Sequence, residues 1–218
     1  MATLDYLKKD LASDMESEQV FQKYVVDGSS YFFSLDEANI NDEYCLRHDI
    51  AKDCQASIND VVIIGSAKLG FSVKDDSFRA FDERFQASQR ARDKSDIDIA
   101  IVNSRLFEKL TEQIFHLSCH FKREWIIQYW QTNQYYVGEK NLFHEYTKYL
   151  ARGWLRPDYL PNVYLSDAPW RNACANWTEK LGRTVNIGIY SSWTYLKHYH
   201  MDHLEVLRAK LKTLEKRA

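Results

Sequence analysis

Two strand-like segments, about thirty residues apart, constrain the fold of this chain more than any other feature. Residues 61–66 read VVIIGS, an apolar run that ends in Gly-Ser and predicts a buried strand followed by a tight turn. Residues 95–102 read SDIDIAIV, in which carboxylate and aliphatic side chains alternate. Because successive side chains of a strand point to opposite faces, Asp96 and Asp98 are expected to share one face and the isoleucines the other.

The aspartate pair predicts a divalent-metal site. Two adjacent carboxylates repel each other unless a cation lies between them, and hard oxygen ligands suit Mg²⁺ or Mn²⁺. Asp96 and Asp98 could instead lie on a strand face exposed to water, but aspartate is depleted in strands and we favour metal binding. A tight turn that can bind a phosphate, next to such a metal ion, is the smallest set of features that phosphoryl transfer requires.

The motifs together resemble a known superfamily. Gly65-Ser66, then Gly70, then Ser95-Asp96-Ile97-Asp98 with its aliphatic tail, resembles the core signature of the DNA polymerase beta-like nucleotidyltransferase superfamily. The resemblance covers about residues 55–105. It implies an α+β fold, in which a small mixed sheet carries the site at one edge and helices flank it on both sides.

The resemblance also assigns roles to individual residues. Gly65 and Ser66 would hold the phosphates of a nucleoside triphosphate, and Asp96 and Asp98 would ligate Mg²⁺ or Mn²⁺. Lys68 is a further candidate phosphate contact, with a plain surface lysine as the alternative. Arg183, close to a later strand, is another such candidate.

An insertion separates the two motifs by more residues than small members of the superfamily usually have. It spans residues 71–94, and its phenylalanines recur at helical spacing, which predicts a helix from Ser77 to Arg92. From Ser77 onward it also carries five cationic residues: Arg79, Arg84, Arg90, Arg92 and Lys94. It is either a basic flap over the nucleotide or acceptor, or an amphipathic insertion packed by its phenylalanines, and we favour the second interpretation.

The third carboxylate of the superfamily has no obvious counterpart. It normally lies on a later strand beside the first pair, and the later segment with strong strand character is 184–190, TVNIGIY. Asn186 occupies the expected position there. An amide can bind a metal but cannot act as a base, which puts full two-metal catalysis in doubt unless Asp167 or Glu145 folds beside Asp96.

Charge and pattern divide the chain into three parts. Residues 1–60 are expected to form an acidic helical segment packed on the core, with five Lys or Arg against thirteen Asp or Glu. Residues 61–103 carry the core motifs. Residues 104–218 are expected to be helical around a third core strand at 184–190, beginning with one long helix over 104–132. The acidic first segment could dock a protein partner, and the basic remainder suits a polyanionic substrate.

Composition excludes several classes. No stretch approaches the roughly twenty apolar residues that span a bilayer, and the first residues carry no signal-peptide core, so a cytoplasmic protein without membrane association is expected. Four cysteines lack paired zinc-knuckle spacing and are expected to be reduced. The histidines at 116 and 120, and at 198, 200 and 203, are expected to be solvated or hydrogen-bonded rather than zinc ligands.

The expected activity follows from the resemblance. It is transfer of a nucleoside monophosphate from an NTP to a hydroxyl of an RNA end, a protein or a small molecule, in a context such as a toxin–antitoxin or phage-defence system. A second hypothesis is a catalytically impaired domain of the same fold that binds nucleotide or RNA, motivated by Asn186. A third is a pure interaction module that acts through the acidic first sixty residues.

Overall fold

The computed structural model describes residues 2–35, 40–73, 78–131, 136–137 and 140–215. Its centre is a four-stranded mixed sheet in the order β1-β2-β6-β5, which confirms the predicted α+β class with flanking helices. A separate two-stranded ribbon pairs β3 with β4. The strands are β1 (Val61–Ile64), β2 (Ile97–Val102), β3 (Tyr136–Val137), β4 (Lys140–Asn141), β5 (Trp154–Leu155) and β6 (Val185–Tyr190).

Helices surround this sheet. The α-helices of the described residues are α1 (Ala2–Ala12), α2 (Ser17–Phe21), α3 (Ile40–Asp53), α4 (Gly65–Leu69), α5 (Glu83–Ser88), α6 (Ser104–Leu117), α7 (Arg123–Ile126), α8 (Leu142–Leu150), α9 (Asn162–Leu165), α10 (Arg171–Leu181) and α11 (Trp193–Glu215). Within the part of the chain that the structure describes, no helix combines the length and apolar character that crossing a membrane requires.

The strand register brings the predicted motifs onto one line across the sheet. Strand β2 runs antiparallel to β1 and parallel to β6, so it is paired on both sides. Asp98 lies opposite Ile64, the last residue of β1, on one side and opposite Asn186 on the other. The Gly-Ser turn therefore leaves the sheet directly beside the second aspartate.

The two faces of the sheet are covered by different helices. Ile97, Ile99 and Ile101 are fully buried in a cluster with α3, α6 and α10, as their alternation predicts. The other face presents Ala100 and Val102 to a second cluster formed with α1, α2 and α11. Because Asp96 and Asp98 share the parity of Ala100 and Val102, the carboxylates lie on the face that α11 covers.

The acidic N-terminal segment packs on the C-terminal helix. Leu7 and Leu11 of α1 are fully buried in the cluster that includes Leu204 and Leu207 of α11. Polar contacts reinforce this packing, since Ser17 donates to Glu205 and Lys197 pairs with Glu18 at 2.8 Å. The two ends of the described chain thus form one layer over the sheet.

Two predicted helices differ from the structure. The helix predicted from Ser77 to Arg92 is only the six-residue α5, whose flanking residues Asp82 and Gln89 are left-handed; Ser77 itself lies outside the described residues. The helix predicted over 104–132 ends at Leu117, followed by three consecutive left-handed residues, Cys119 to Phe121; Thr132 lies outside the described residues. Helical periodicity gave no sign of either break, because neither contains glycine or proline.

A buried ion pair fastens the insertion to the sheet. Arg183, just before β6, donates from Nη1 to Oδ1 of Asp82 at 2.7 Å, and the two side chains are only 12% and 15% exposed. Ser95, next to β2, exchanges two 2.9 Å hydrogen bonds with Asp82. The Arg183 guanidinium also lies over the rings of Phe32 and Phe81, at 5.1 and 5.0 Å. Arg183, a candidate phosphate contact by sequence, is therefore committed to the fold.

The ion pair sets the ionisation of Asp82. Burial raises the pKa of this carboxyl, but the hydrogen bonds from Arg183 and Ser95 outweigh burial and hold the pKa below its usual value. A depressed folded-state pKa contributes stability above the unfolded-state pKa of about 4. That contribution is lost as the pH falls through the folded-state pKa.

We expect Arg183→Ala to lower the free energy of unfolding by about 3 kcal/mol, because it leaves a buried carboxylate without its partner. Lys180→Ala is the matched control. It removes a cation from the neighbouring α10, where the Lys180–Asp42 pair is 52% and 22% exposed, and should cost less than about 1 kcal/mol. Urea unfolding of both variants at neutral pH measures the difference. Equal losses would contradict the assigned role of the pair.

Candidate active site

The polar side chains of β2 and β6 converge at one end of the sheet. Asn186 donates from Nδ2 to Oδ2 of Asp96 at 3.1 Å and, at a longer 3.4 Å, to Oδ1 of Asp98. Both carboxylates therefore approach a single positively polarised group. The parallel register that sets Asn186 beside Asp98 produces this convergence, and it places the amide where the sequence predicted the third position.

Gly65 brings the backbone of the turn against Asp98. Its φ of +68° lies in the left-handed region, and a Cβ at this position would lie 2.9 Å from Oδ2 of Asp98. Glycine is therefore required here both by conformation and by the close approach of the carboxylate. Ser66 follows at the same edge, and its hydroxyl makes no hydrogen bond with any residue that the structure describes.

A cavity of about 300 Å³ opens over these residues. Gly65, Ser66, Asp96 and Asp98 contribute to its wall, and so do four cationic side chains of the insertion, Arg79, Arg84, Arg92 and Lys94. The insertion thus reaches this cavity, and it also packs through Phe81, which is buried in the core. Its role as a flap over nucleotide or acceptor stays a prediction.

The acidic and basic side chains of the insertion differ in whether they make hydrogen bonds within the protein. Two of its carboxylates serve the fold: Glu83 accepts the Ala80 N–H at 3.0 Å, and Asp93 accepts the Ser88 hydroxyl at 2.5 Å. Arg84 and Arg92 make no hydrogen bond or ion pair within the described part of the chain. Arg84 and Arg92 are therefore available to an anion, whereas the neighbouring Glu83 and Asp93 carboxylates are engaged.

Helix α11 supplies the wall that sequence reasoning missed. Tyr199, His200 and His203 line the same cavity. His200 is 5% exposed and follows Leu196 and precedes Leu204 by four residues each, on the stripe of α11 that packs on the sheet. A signal was present in the sequence, because a histidine interrupts the apolar stripe of α11, but only the packing shows which cavity that stripe faces.

Lys68 lies outside this cavity, and the predicted phosphate contact is wrong in this structure. The side chain of Lys68 points to the opposite side of α4, is 6% exposed and donates to the carbonyl oxygen of Gly28. Burial lowers the pKa of its ammonium group. The alternative of a surface lysine is equally wrong, since the residue joins α4 to the loop that precedes α3.

Neither of the two carboxylates considered as replacements for Asn186 lies in this cavity. Glu145 pairs with Lys148 on α8, and Asp167 lines a separate, largely apolar cavity beside α6 and α9. Within the described ranges, no group of three or more His, Cys, Asp or Glu side chains is arranged to hold a metal ion. The oxygen ligands that converge at the site are those of Asp96 and Asp98, which an amide oxygen of Asn186 could join.

These ligands fit a hard divalent cation. Two carboxylates and an amide provide only oxygen donors of the kind that Mg²⁺ and Mn²⁺ prefer. Asp96 and Asn186 are exposed, so oxygen atoms of a substrate or of water can complete the coordination. The Asn186 amide nitrogen lies 3.1 Å from an Asp96 oxygen and 3.4 Å from an Asp98 oxygen, so the two carboxylates face a common point.

Comparisons of this chain with known protein families, with curated proteins and with solved structures find no match.

We expect Gly65→Ala to weaken Mn²⁺ binding at the aspartate pair, because the added methyl group displaces the Asp98 carboxylate. Gly182→Ala is the matched control. It forces a side chain into a similar φ of +59°, but the nearest atom to the added Cβ is Lys94 Nζ at 3.6 Å, away from the carboxylates. Each variant should lose about 1 kcal/mol of stability from the backbone conformation. Calorimetric titration with Mn²⁺ should show impaired binding for the first variant alone, and equal affinities would contradict this reading of Gly65.

Proposed function

We propose that this protein is a metal-dependent nucleotidyltransferase, which transfers a nucleoside monophosphate from an NTP to a hydroxyl acceptor and releases pyrophosphate. One observation carries the proposal: the Gly65-Ser66 turn, Asp96 and Asp98 meet at one end of the sheet, beside Asn186, and line a cavity with cationic walls. The pairing of β2 with β1 and β6 produces this arrangement. The motifs follow one another in the same order as in the superfamily that the chain resembles.

Each part of the site has a chemical task under this proposal. Asp96 and Asp98 would hold Mg²⁺ or Mn²⁺, which neutralises charge on the transferred phosphoryl group and on the leaving pyrophosphate. The Ser66 hydroxyl and the close-packed backbone at Gly65 bind phosphate oxygens. Arg84 and Arg92 bind the outer phosphates, because they are the cationic side chains of the wall without a partner among the described residues.

A second candidate function is favoured by Asn186. An amide at the third position cannot take a proton from the attacking hydroxyl, so the domain could bind nucleotide without turning it over. In this case the same cavity and the same aspartate pair act in binding, and the protein works through a partner that senses the bound state. The two candidates predict the same nucleotide affinity and opposite outcomes for transfer.

We expect label from at least one α-³²P NTP, with Mg²⁺ or Mn²⁺, to appear in total cell RNA, protein or small molecules. Asp98→Asn should abolish the labelling, because it removes a ligand charge at almost constant volume. The control is Asp167→Asn, the same change at a carboxylate of the separate apolar cavity, and it should label as the wild type does. Labelling that persists in Asp98→Asn would rule out the proposed site.

Binding measurements separate the second candidate. Titration with each NTP in the presence of Mg²⁺ should show binding in the wild type under either function. Binding without label transfer or pyrophosphate release from any NTP would favour the impaired domain, and Asn186→Asp should then restore transfer. The absence of both binding and transfer would leave the interaction module as the remaining hypothesis.

A further inference from the structure

We propose that the histidines of α11 which line the cavity, His200 and His203, supply the proton acceptor that Asn186 cannot provide. This inference rests on the proposed transferase function and adds a catalytic group to it. It goes beyond the motif resemblance, which assigns no role to any residue of α11.

The position of His200 is the first argument. The buried stripe of α11 reads Leu196, His200, Leu204 and Leu207, and the three leucines belong to the cluster that α1, α2 and the sheet face carrying Asp98 form together. A leucine would satisfy that packing at position 200 as well. The imidazole of His200 is 5% exposed and borders the cavity that Asp96 and Asp98 also line. Burying a polar ring costs free energy that a leucine would not, which favours a role for the imidazole in the cavity.

His203 lies one turn further along the same side of the helix. It is half-buried, lines the same cavity and packs edge-on against Tyr199, with ring centroids 5.2 Å apart. The neighbouring His198 is exposed and is not part of the cavity wall. The three histidines of α11 therefore divide into two that face the site and one that faces away.

Elimination is the second argument. Among the described groups of the cavity wall, Asp96 and Asp98 are the metal ligands, while Glu83 and Asp93 accept hydrogen bonds within the insertion. Arginine and lysine side chains are protonated at neutral pH, and a tyrosine hydroxyl holds its proton to about pH 10. Imidazole, with an ordinary pKa of about 6.5, is the side chain of this wall that is suited to accept a proton near neutral pH.

The step balances without a further reactant. The acceptor oxygen forms a bond to the α-phosphorus of the NTP while the bond from that phosphorus to the bridging oxygen of pyrophosphate breaks. The hydroxyl proton passes to an imidazole nitrogen, and the bond electrons leave with pyrophosphate. The protonated imidazole then returns its proton to solvent through the open cavity.

The test compares His200→Gln, His203→Gln and the control His198→Gln, each alone and combined with Asn186→Asp. Transfer is measured as α-³²P label incorporated from the four NTPs into total cell RNA and protein, and as pyrophosphate released. Removal of a general base typically costs a factor of about 100 or more. We expect such a loss for at least one cavity histidine, with unchanged ATP and GTP affinities, and no loss for His198→Gln.

Rescue separates a chemical role from a structural one. Asn186→Asp places a carboxylate opposite Asp98. Adding it to the affected histidine variant should therefore raise the transfer activity of that variant at least tenfold. A variant that had merely lost its packing would not recover through a new carboxylate on β6. His203→Gln, at a half-buried position, keeps the comparison interpretable if His200→Gln unfolds.

The outcomes are distinct. Loss in a cavity-histidine variant with rescue by Asn186→Asp supports the inference. An active wild type with full activity in both cavity-histidine variants overturns it and leaves the proposed transferase intact, and so does a loss that Asn186→Asp fails to rescue. A wild type that transfers no label from any NTP overturns the proposed function and the inference together.

Discussion

The register of strand β2 is the constraint on which the rest of the site depends. It fixes Asp98 opposite both the end of β1 and Asn186, and a shift by one residue would turn both carboxylates into the apolar cluster formed with α3 and α6. Burial of Ile97, Ile99 and Ile101 on that face opposes such a shift, because each buried side chain stabilises the observed register by roughly 2 kcal/mol. Core packing on one face thus positions the chemistry on the other.

The insertion depends on this sheet for its own placement. Its short helix α5 has no buried residues, so its internal packing contributes little. Phe81 packs in the core, and the Arg183–Asp82 pair and the bonds from Ser95 join the insertion to the starts of β6 and β2, a few residues from Asn186 and Asp96. The cationic wall and the carboxylates are consequently anchored to the same two strands.

Much of the sheet could be predicted from sequence because strand periodicity is local. The alternation in residues 95–102 identified the buried isoleucines, the aspartate face and, through the later strand, the position of Asn186. Lys68 and His200 could not be assigned in the same way. The direction of each depends on how its helix packs: Lys68 turns toward Gly28, and His200 turns toward the cavity because the leucines on either side of it bury against the sheet. The left-handed residues after Leu117 could not be predicted from the sequence pattern either, since none of them is glycine.

The amide at position 186 changes the electrostatics of the site as well as its proton chemistry. Three carboxylates at this point would carry three negative charges and would need more than one divalent cation to offset their repulsion. With Asn186 the charge is that of Asp96 and Asp98, and a single divalent cation balances it. In the structure the Asn186 N–H group lies between the two carboxylates and reduces their repulsion. Under the proposed function, an amide at this position leaves the site with the charge of two carboxylates. The proton acceptor then has to come from another part of the cavity, and the wall formed by α11 is the part that we propose.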